Sequence, residues 1–457
     1  MSSHLGQHAI VIGGSIAGLA TARVLADFFG QVTVIERDPI EDRPAVRKST
    51  PQGNHLHALL LGGEQVLSSL YSGFTGKLEN LGAVRFQFGN EVAFFFPDGK
   101  GYSLSGSVKQ PRALGYYGYS QSRALLEYCV RQCTLALPNV KFESGIAVQG
   151  LIYDGTRVRG VRRDHPDGSD SIEADLVVDA GGRGSHAPRW LTELGFETPE
   201  ETTIGVDFAY TSAKFRKPDR PVEPEPVMLF GGRPPNASAA ALAEIEDHTW
   251  IVSLAGRFGK YPPADEAGFL AFAKALPTPK CYELIKDAER VSDISHHRFP
   301  TSVQRHYERL PAFPERFIVI GDAISSFNPV YGQGMSSAAL QVRALQQVLN
   351  ERKAKSEPQA LSGLAGSFFP KAADVIATPW ILAASFDFAY PQTKGERPPN
   401  MMEGLRYFAA LDSLMAEDIE VQRLVVEVSG LAKPLSAFFE EPLRSRILAR
   451  QIKQASR

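Results

Sequence analysis

Cysteine is nearly missing from this chain. Its 457 residues include only Cys129, Cys133 and Cys281, too few and too odd a set for a disulfide framework, so the fold must rest on apolar cores and a reducing compartment fits best. Cys129 and Cys133 stand at i and i+4 of an apolar helical pattern, which reads as two thiols on a buried helix face and not as a redox or metal pair. An excess of one charge is also missing: 49 Lys and Arg face 51 Asp and Glu, a formal charge of -2, and this removes any global electrostatic reason to expect a nucleic-acid partner. No apolar run approaches the roughly 20 residues of a membrane span, and no charged start leads into a signal-peptide core. We therefore expect a cytoplasmic protein without stable membrane insertion. Low-complexity tracts and repeat periods are absent too.

What is present is apolar material and glycine. A hydrophobic share of 43% can fill more than one core, and at roughly 150 residues per domain the length predicts about three units. The 40 glycines matter through their placement. His8 to Ile12 (HAIVI) is a short apolar strand, GGSIAG follows at once, LATARVLADF has helical spacing, and Val32 to Glu36 (VTVIE) is a second buried strand. That order is a βαβ unit with parallel strands, whose default ligand is a nucleotide.

From 84 to 108 the residues alternate, with a turn at Pro97-Asp98-Gly99, and 203 to 256 alternate again, which predicts antiparallel strands. A helix near 120 to 136, strands near 140 to 150, 157 to 163 and 172 to 179, and the FIVI run at 317 to 320 return to nucleotide-domain character. We expect a discontinuous nucleotide-binding domain of residues 1–83, 109–200 and 300–355, an inserted antiparallel substrate domain of 84–108 and 201–299, and a helical region of 356–457.

GGSIAG places Gly13 and Gly18 at the first and third glycines of the dinucleotide fingerprint, with Ser15 at the second. The first glycine permits the tight turn, the second lets backbone approach pyrophosphate, and the third lets the helix pack on the sheet. Glu36 ends the second strand, where an acid accepts hydrogen bonds from a ribose. In GDAISSFNPVYGQGM, Asp322 follows a buried strand and is placed to bind a polyol hydroxyl, while Gly332 and Gly334 precede a helix N-terminus whose dipole favours negative charge on a nearby ring.

The ordered set GGSIAG, Glu36, Ser122-Arg123 with Leu126-Glu127, VVDAGGRGS and GDAISSFNPVYGQGM resembles the FAD-dependent monooxygenases of the para-hydroxybenzoate hydroxylase type. PQGNHLHALL, the SFNPVYGQGM form and PWILAASFDFAYPQTKGERP look like the branch containing bacterial polyene epoxidases of polyether biosynthesis, enzymes of secondary metabolism. The resemblance implies an α/β fold: a Rossmann-like FAD-binding domain of the GR2 type, an inserted antiparallel β-sheet substrate domain and a C-terminal helical region. It implies Gly13, Ser15, Gly18, Glu36 and Arg37 at the ADP half of FAD, with Val148 as a further cofactor contact. Arg123 would meet the pyrophosphate or ribityl, Asp322 the ribityl, and Gly332, Gly334 and Met335 the isoalloxazine edge. Arg47 and Gln52 would touch cofactor or reductant, and His55 would be a polar wall of the site.

On this resemblance FAD, reduced by NAD(P)H or by a partner flavin reductase, reacts with O2 through a C4a-hydroperoxide. No protein residue is expected to be catalytic. The products would be an epoxide from a small lipophilic alkene or a hydroxylated aromatic, and the alternative is a flavoprotein reductase that saturates prenyl or alkene double bonds. Many relatives carry Asp-Gly in the third motif, whereas this chain reads Asp179-Ala180-Gly181-Gly182, which leaves both electron sources open. Phe94, Phe95, Phe96, Phe208, Tyr210, Phe230 and Trp250 make the inserted domain aromatic, and Phe95, Phe208, Tyr210 and Trp250 are the expected substrate contacts. His55 and His57 lack nearby Cys or carboxylate partners in sequence, so no metal is expected. His296-His297 reads as a sheet-edge surface pair.

Overall fold

The structure, a computed structural model, describes residues 4–95, 101–103, 113–165, 168–219, 227–232, 234–355 and 360–455. Phe96 and the expected turn at Pro97-Asp98-Gly99 lie outside the described residues. The elements that position the site are, in chain order, β1 (Gly6–Ile12), α1 (Ile16–Leu25), β2 (Phe29–Glu36), β3 (Val92–Phe95), α2 (Arg123–Leu135), β4 (Val140–Ser144), β5 (Leu176–Asp179), β6 (Glu201–Arg216), β7 (Val227–Phe230), β8 (Ala239–Ile245), β9 (Thr249–Arg257), β10 (Ser295–Arg305), β11 (Phe317–Val319), α3 (Gly334–Lys355) and α4 (Leu364–Asp387).

Five of these strands form a parallel sheet in the order β11-β5-β1-β2-β4. Ala9 to Val11 and Val32 to Glu36 are buried without a break, so both faces of the sheet are covered, as continuous apolar runs predict for parallel strands. Gly13 turns the chain from β1 into α1 at φ 104°, a conformation that costs glycine little and an L side chain much.

A second sheet of eight strands runs in the order Ser325–Ser326, β10, β6, β9, β8, β7, β3, Gly101–Ser103. Its pairs are antiparallel except β7 with β3, which run parallel. The alternating stretch from 84 also divides: Val84–Gln87 leaves the large sheet and pairs with Tyr117–Ser120. Alternation marks a strand with two unlike faces, but ladder hydrogen bonds can be satisfied in either direction, so it does not specify the partner.

The two faces of the large sheet pack differently. Ala213, Phe215, Met228, Phe230, Trp250, Val252 and Leu254 close against Phe269 and Cys281 as the sheet's own core. The other face carries Phe208, Tyr210, Ala255 and Phe299, covered by Ala384 of α4 and by Phe388 just beyond it. Burial of a side chain of this size contributes about 1.5–3 kcal/mol, so the C-terminal region is firmly attached to that face. We call this contact the apolar seam.

Candidate cofactor site and substrate face

The turn after β1 is surrounded by a buried charge network. Ser15 caps α1 without a hydrogen bond from its side chain to the helix; its Oγ instead donates to Glu127 Oε2 at 2.8 Å and accepts from Arg123 Nη2 at 2.7 Å. Glu127 and Arg123 share α2, whose start is capped by Ser122 accepting from Leu125 N. Arg47 reaches in from the loop after β2, with Nε 2.7 Å from Glu127 Oε1 and Nη1 3.0 Å from Glu36 Oε2. Glu36 also accepts from Gly14 N at 2.7 Å and Asp38 N at 3.0 Å. All four charged side chains are buried. Arg37 points outward beside them and is exposed.

The loop after β11 faces this network from the other side. Asp322 is exposed at its surface yet closely surrounded by protein, near Arg123 and Arg183. That crowding, offset in part by Arg123 and Arg183, pushes its carboxyl up to about 6. A Cβ built on Gly334 would sit 3.6 Å from Asp322 Oδ1, so the carboxylate faces the first residue of α3. Gly332 holds φ 66°, and Met335 is half-buried against the central core. Together the start of α3 and Asp322 form an open polar rim opposite Arg123.

His55 and His57 have separate surroundings. His55 is 2% exposed, its Nδ1 lies 2.8 Å from Ser212 Oγ, and its ring meets Tyr210 edge-on at 4.2 Å. His57 is half-buried near Arg123, with Nδ1 3.0 Å from the His55 carbonyl. His296 is exposed, whereas His297 is half-buried, 5.4 Å from the Tyr210 ring and 6.1 Å from His55. Burial and the neighbouring His297, His57 and His296 push the His55 imidazole down to about 3. The unfolded imidazole titrates near ~6.5, so the contribution of His55 is complete above that pH and declines as pH falls below it. We expect His55→Gln to make the loss of thermal midpoint between about pH 7 and 5 shallower than in wild type; an unchanged slope would rule out a buried neutral His55.

Among the described residues no three His, Cys, Asp or Glu gather as a metal-ligand group, and no helix is long and apolar enough to cross a membrane.

Residues 115–361, more than half of the chain, match the family described as the FAD binding domain. The chain belongs to this FAD-binding family. It is 32% identical over 400 residues to Protein Rv3254 of Mycobacterium tuberculosis, covering 86% of this chain and 82% of that protein. It is 23% identical over 435 residues to squalene epoxidase 2, mitochondrial, of Arabidopsis thaliana, covering 94% of this chain and 68% of that protein. The flavin-dependent brominase Bmp2 shares the fold at a TM-score of 0.69 and 14% identity, over 98% of this chain and 100% of that one.

The side chains present fit FAD. Arg123 Nη1 and both amide atoms of Gln121 are buried and lack a hydrogen-bond partner among the described residues. Leaving such groups unpaired costs about 1–3 kcal/mol each, and a diphosphate with a polyol chain supplies the acceptors and donors that satisfy them. Glu36 Oε1 still has acceptor capacity for a ribose hydroxyl after its bond from Asp38 N. Val148 stands two residues after Ile146, whose N donates to the Glu36 carbonyl at 3.0 Å, and is half-buried against the central core. Gln52 is half-buried in the Pro51–Asn54 turn that leads to His55.

Arg47 lies inside the charge network itself, between Glu36 and Glu127. Two expected substrate contacts, Trp250 and Phe95, are placed away from this site. Trp250 is fully buried in the far core, and Phe95 stacks on Phe230 at 4.9 Å against that same core. Alternation groups residues by face, and both faces of this sheet are apolar, so the aromatic count did not separate core from site. Phe208 and Tyr210 remain on the seam.

Gln121 had no role in the sequence reading, although its place next to a helix-capping Ser122 and Arg123 was a usable signal. Asp322→Ala is expected to weaken FAD binding about tenfold, the loss of a hydrogen bond of roughly 1.5 kcal/mol. Flavin-fluorescence titration checks this, and wild-type affinity would remove Asp322 from the site.

Proposed function

We propose that the protein is an FAD-dependent monooxygenase that places one oxygen atom of O2 on a lipophilic alkene as an epoxide, or on an aromatic ring as a hydroxyl. The apolar seam carries this reading because it is joined to the cleft. The Arg183 guanidinium lies 4.5 Å over the Phe299 ring, donates to Ser326 Oγ at 3.2 Å, and acts electrostatically on Asp322. An apolar sheet face beside a flavin-binding rim, closed here under Ala384 and Phe388, would suit an apolar substrate once α4 gives way. The match to a protein named as a squalene epoxidase supports the same direction, as do the motifs resembling bacterial polyene epoxidases.

Bound FAD supplies electron transfer and oxygen activation. The chain's own residues bind, orient and exclude water: Ser15, Gln121 and Arg123 hold the diphosphate, Asp322 the ribityl, and the N-terminus of α3 presents its dipole to the ring edge. Phe208, Tyr210 and Phe299 keep the substrate side dry, and no protein nucleophile takes part. Electrons come from NAD(P)H or a separate flavin reductase. Asp179 is buried and accepts from Gly181 N at 2.7 Å and Ser185 Oγ at 2.5 Å, so its carboxylate holds the turn after β5.

The test is a panel of polyenes and phenols given to reduced, FAD-loaded protein under isotopically labelled dioxygen. One labelled oxygen atom per product is expected. A reduced alkene formed stoichiometrically without oxygen would replace this reading with the double-bond reductase, and failure to take up FAD would defeat both.

A further inference from the structure

Cofactor loop, substrate sheet and C-terminal helix meet at one carboxylate. Asp387, the last residue of α4, is fully buried. Its Oδ1 accepts from Arg257 Nη1 of β9 at 2.6 Å, from Asn328 Nδ2 at 2.9 Å and from Tyr331 Oη at 2.7 Å. Asn328 and Tyr331 belong to the loop that leads into Gly334 and α3. Arg257 Nη2 donates to the same Tyr331 Oη at 3.1 Å, and its guanidinium stands over the rings of Phe208 at 5.4 Å and Tyr390 at 4.9 Å. Thr393 Oγ1 returns to the Asp387 carbonyl at 2.6 Å, which folds the segment after α4 back onto it.

Stability alone explains this arrangement poorly. A buried ion pair pays a desolvation cost that well-packed apolar residues avoid, and breaking it from one side is worse than never having had it. Asp387 Oδ2, moreover, is buried without a hydrogen-bond partner among the described residues. What the carboxylate achieves is geometric. Three donors from two other segments converge on one oxygen, so the loop before α3 cannot shift without disturbing both Arg257 and the end of α4.

We propose that Asp387 is a positioning residue that sets the Asn328–Met335 loop, and with it the flavin edge, against the apolar seam under α4. FAD binding and closure of the seam are then coupled through Tyr331. This inference rests on the FAD reading of the cleft. A purely structural staple would differ in a measurable way: its loss would lower the melting of the protein while leaving flavin affinity and flavin environment alone.

Tyr331→Phe keeps the ring and the Arg257–Asp387 pair while deleting the hydroxyl, and Asp387→Asn keeps the shape while removing the charge. FAD dissociation constants, visible circular dichroism of the bound flavin and thermal midpoints of the apoproteins are compared with wild type. For Tyr331→Phe we expect an FAD dissociation constant raised about tenfold and an altered flavin dichroism band, beside an apoprotein midpoint lowered because Arg257 and Asp387 each lose a hydrogen-bond partner; Asp387→Asn should weaken FAD further. If Asp387→Asn does not fold, Tyr331→Phe decides alone. Wild-type affinity and dichroism in Tyr331→Phe overturn the positioning role. Wild-type protein that takes up no FAD overturns the FAD reading and this inference with it, whereas an FAD-binding wild type beside unchanged variants overturns this inference only.

Discussion

Gly18→Val is expected to abolish FAD binding and to destabilise the nucleotide domain. A Cβ at position 18 would lie 1.8 Å from the Gly13 carbonyl oxygen and 2.9 Å from its carbon. These are backbone atoms, so no rotamer change relieves the overlap. The turn cannot retreat either: Gly13 N donates to Ile35 O at 2.8 Å, and Gly13's own Cβ position is only 2.6 Å from Ala180 O. The first turn of α1 must therefore lift from β1, carrying away the free N–H groups that face the diphosphate. Overpacking a well-filled site costs about 1–3 kcal/mol and occasionally more, and a rigid backbone clash belongs at the upper end. Against a total stability of about 5–15 kcal/mol, part of the population stays folded, so the two effects can be read separately. Gel filtration followed by flavin absorbance reads the first and thermal unfolding the second. Wild-type flavin retention in Gly18→Val would show that α1 does not pack through this contact.

That glycine was legible in the sequence because its role is local: strand, turn and helix are consecutive, and the spacing of Gly13 and Gly18 follows from the turn itself. The same holds for Asp322 and Gly334, which one short loop brings together. Arg47 was legible as a residue of interest but its protein partners were not, since Glu36 and Glu127 meet it through β2 and α2 and no spacing rule connects positions 47 and 127. Phe208 and Trp250 show a second limit. Each alternates correctly within its own strand, but only the packing of Phe269 on one face and Phe388 on the other decides which side is core. Asp387 shows a third, because a lone acid in an apolar helix gains meaning only from the Arg and Tyr that close on it.

Arg47→Ala should be the most destabilising change in the charge network. Its guanidinium spans two carboxylates that are as buried as itself, Glu36 at 3.0 Å and Glu127 at 2.7 Å. Removing it leaves Glu127 with Arg123 at 2.9 Å and Ser15, and leaves Glu36 with backbone donors alone. Breaking a buried pair from one side costs about 3–5 kcal/mol. Arg47→Lys should recover only part of this, because one ammonium cannot reproduce the planar fork that reaches both acids. The acid limb gives an independent check. Burial by itself would raise the Glu127 carboxyl, but Arg123, Arg47 and the hydrogen bond from Ser15 more than reverse that and hold it below the usual carboxylate value. A carboxylate lowered in the fold adds stability that is complete above its unfolded value of about 4.3 and is lost as pH falls through the folded one. Without Arg47 the rise from burial is less opposed, so acid unfolding should begin at a higher pH than in wild type. Urea unfolding near neutral pH and thermal midpoints taken downward in pH measure both effects. Arg47→Met combined with Glu127→Leu should be less unstable than the sum of the two single variants; a double variant as unstable as that sum would mean that the two side chains do not act as a pair.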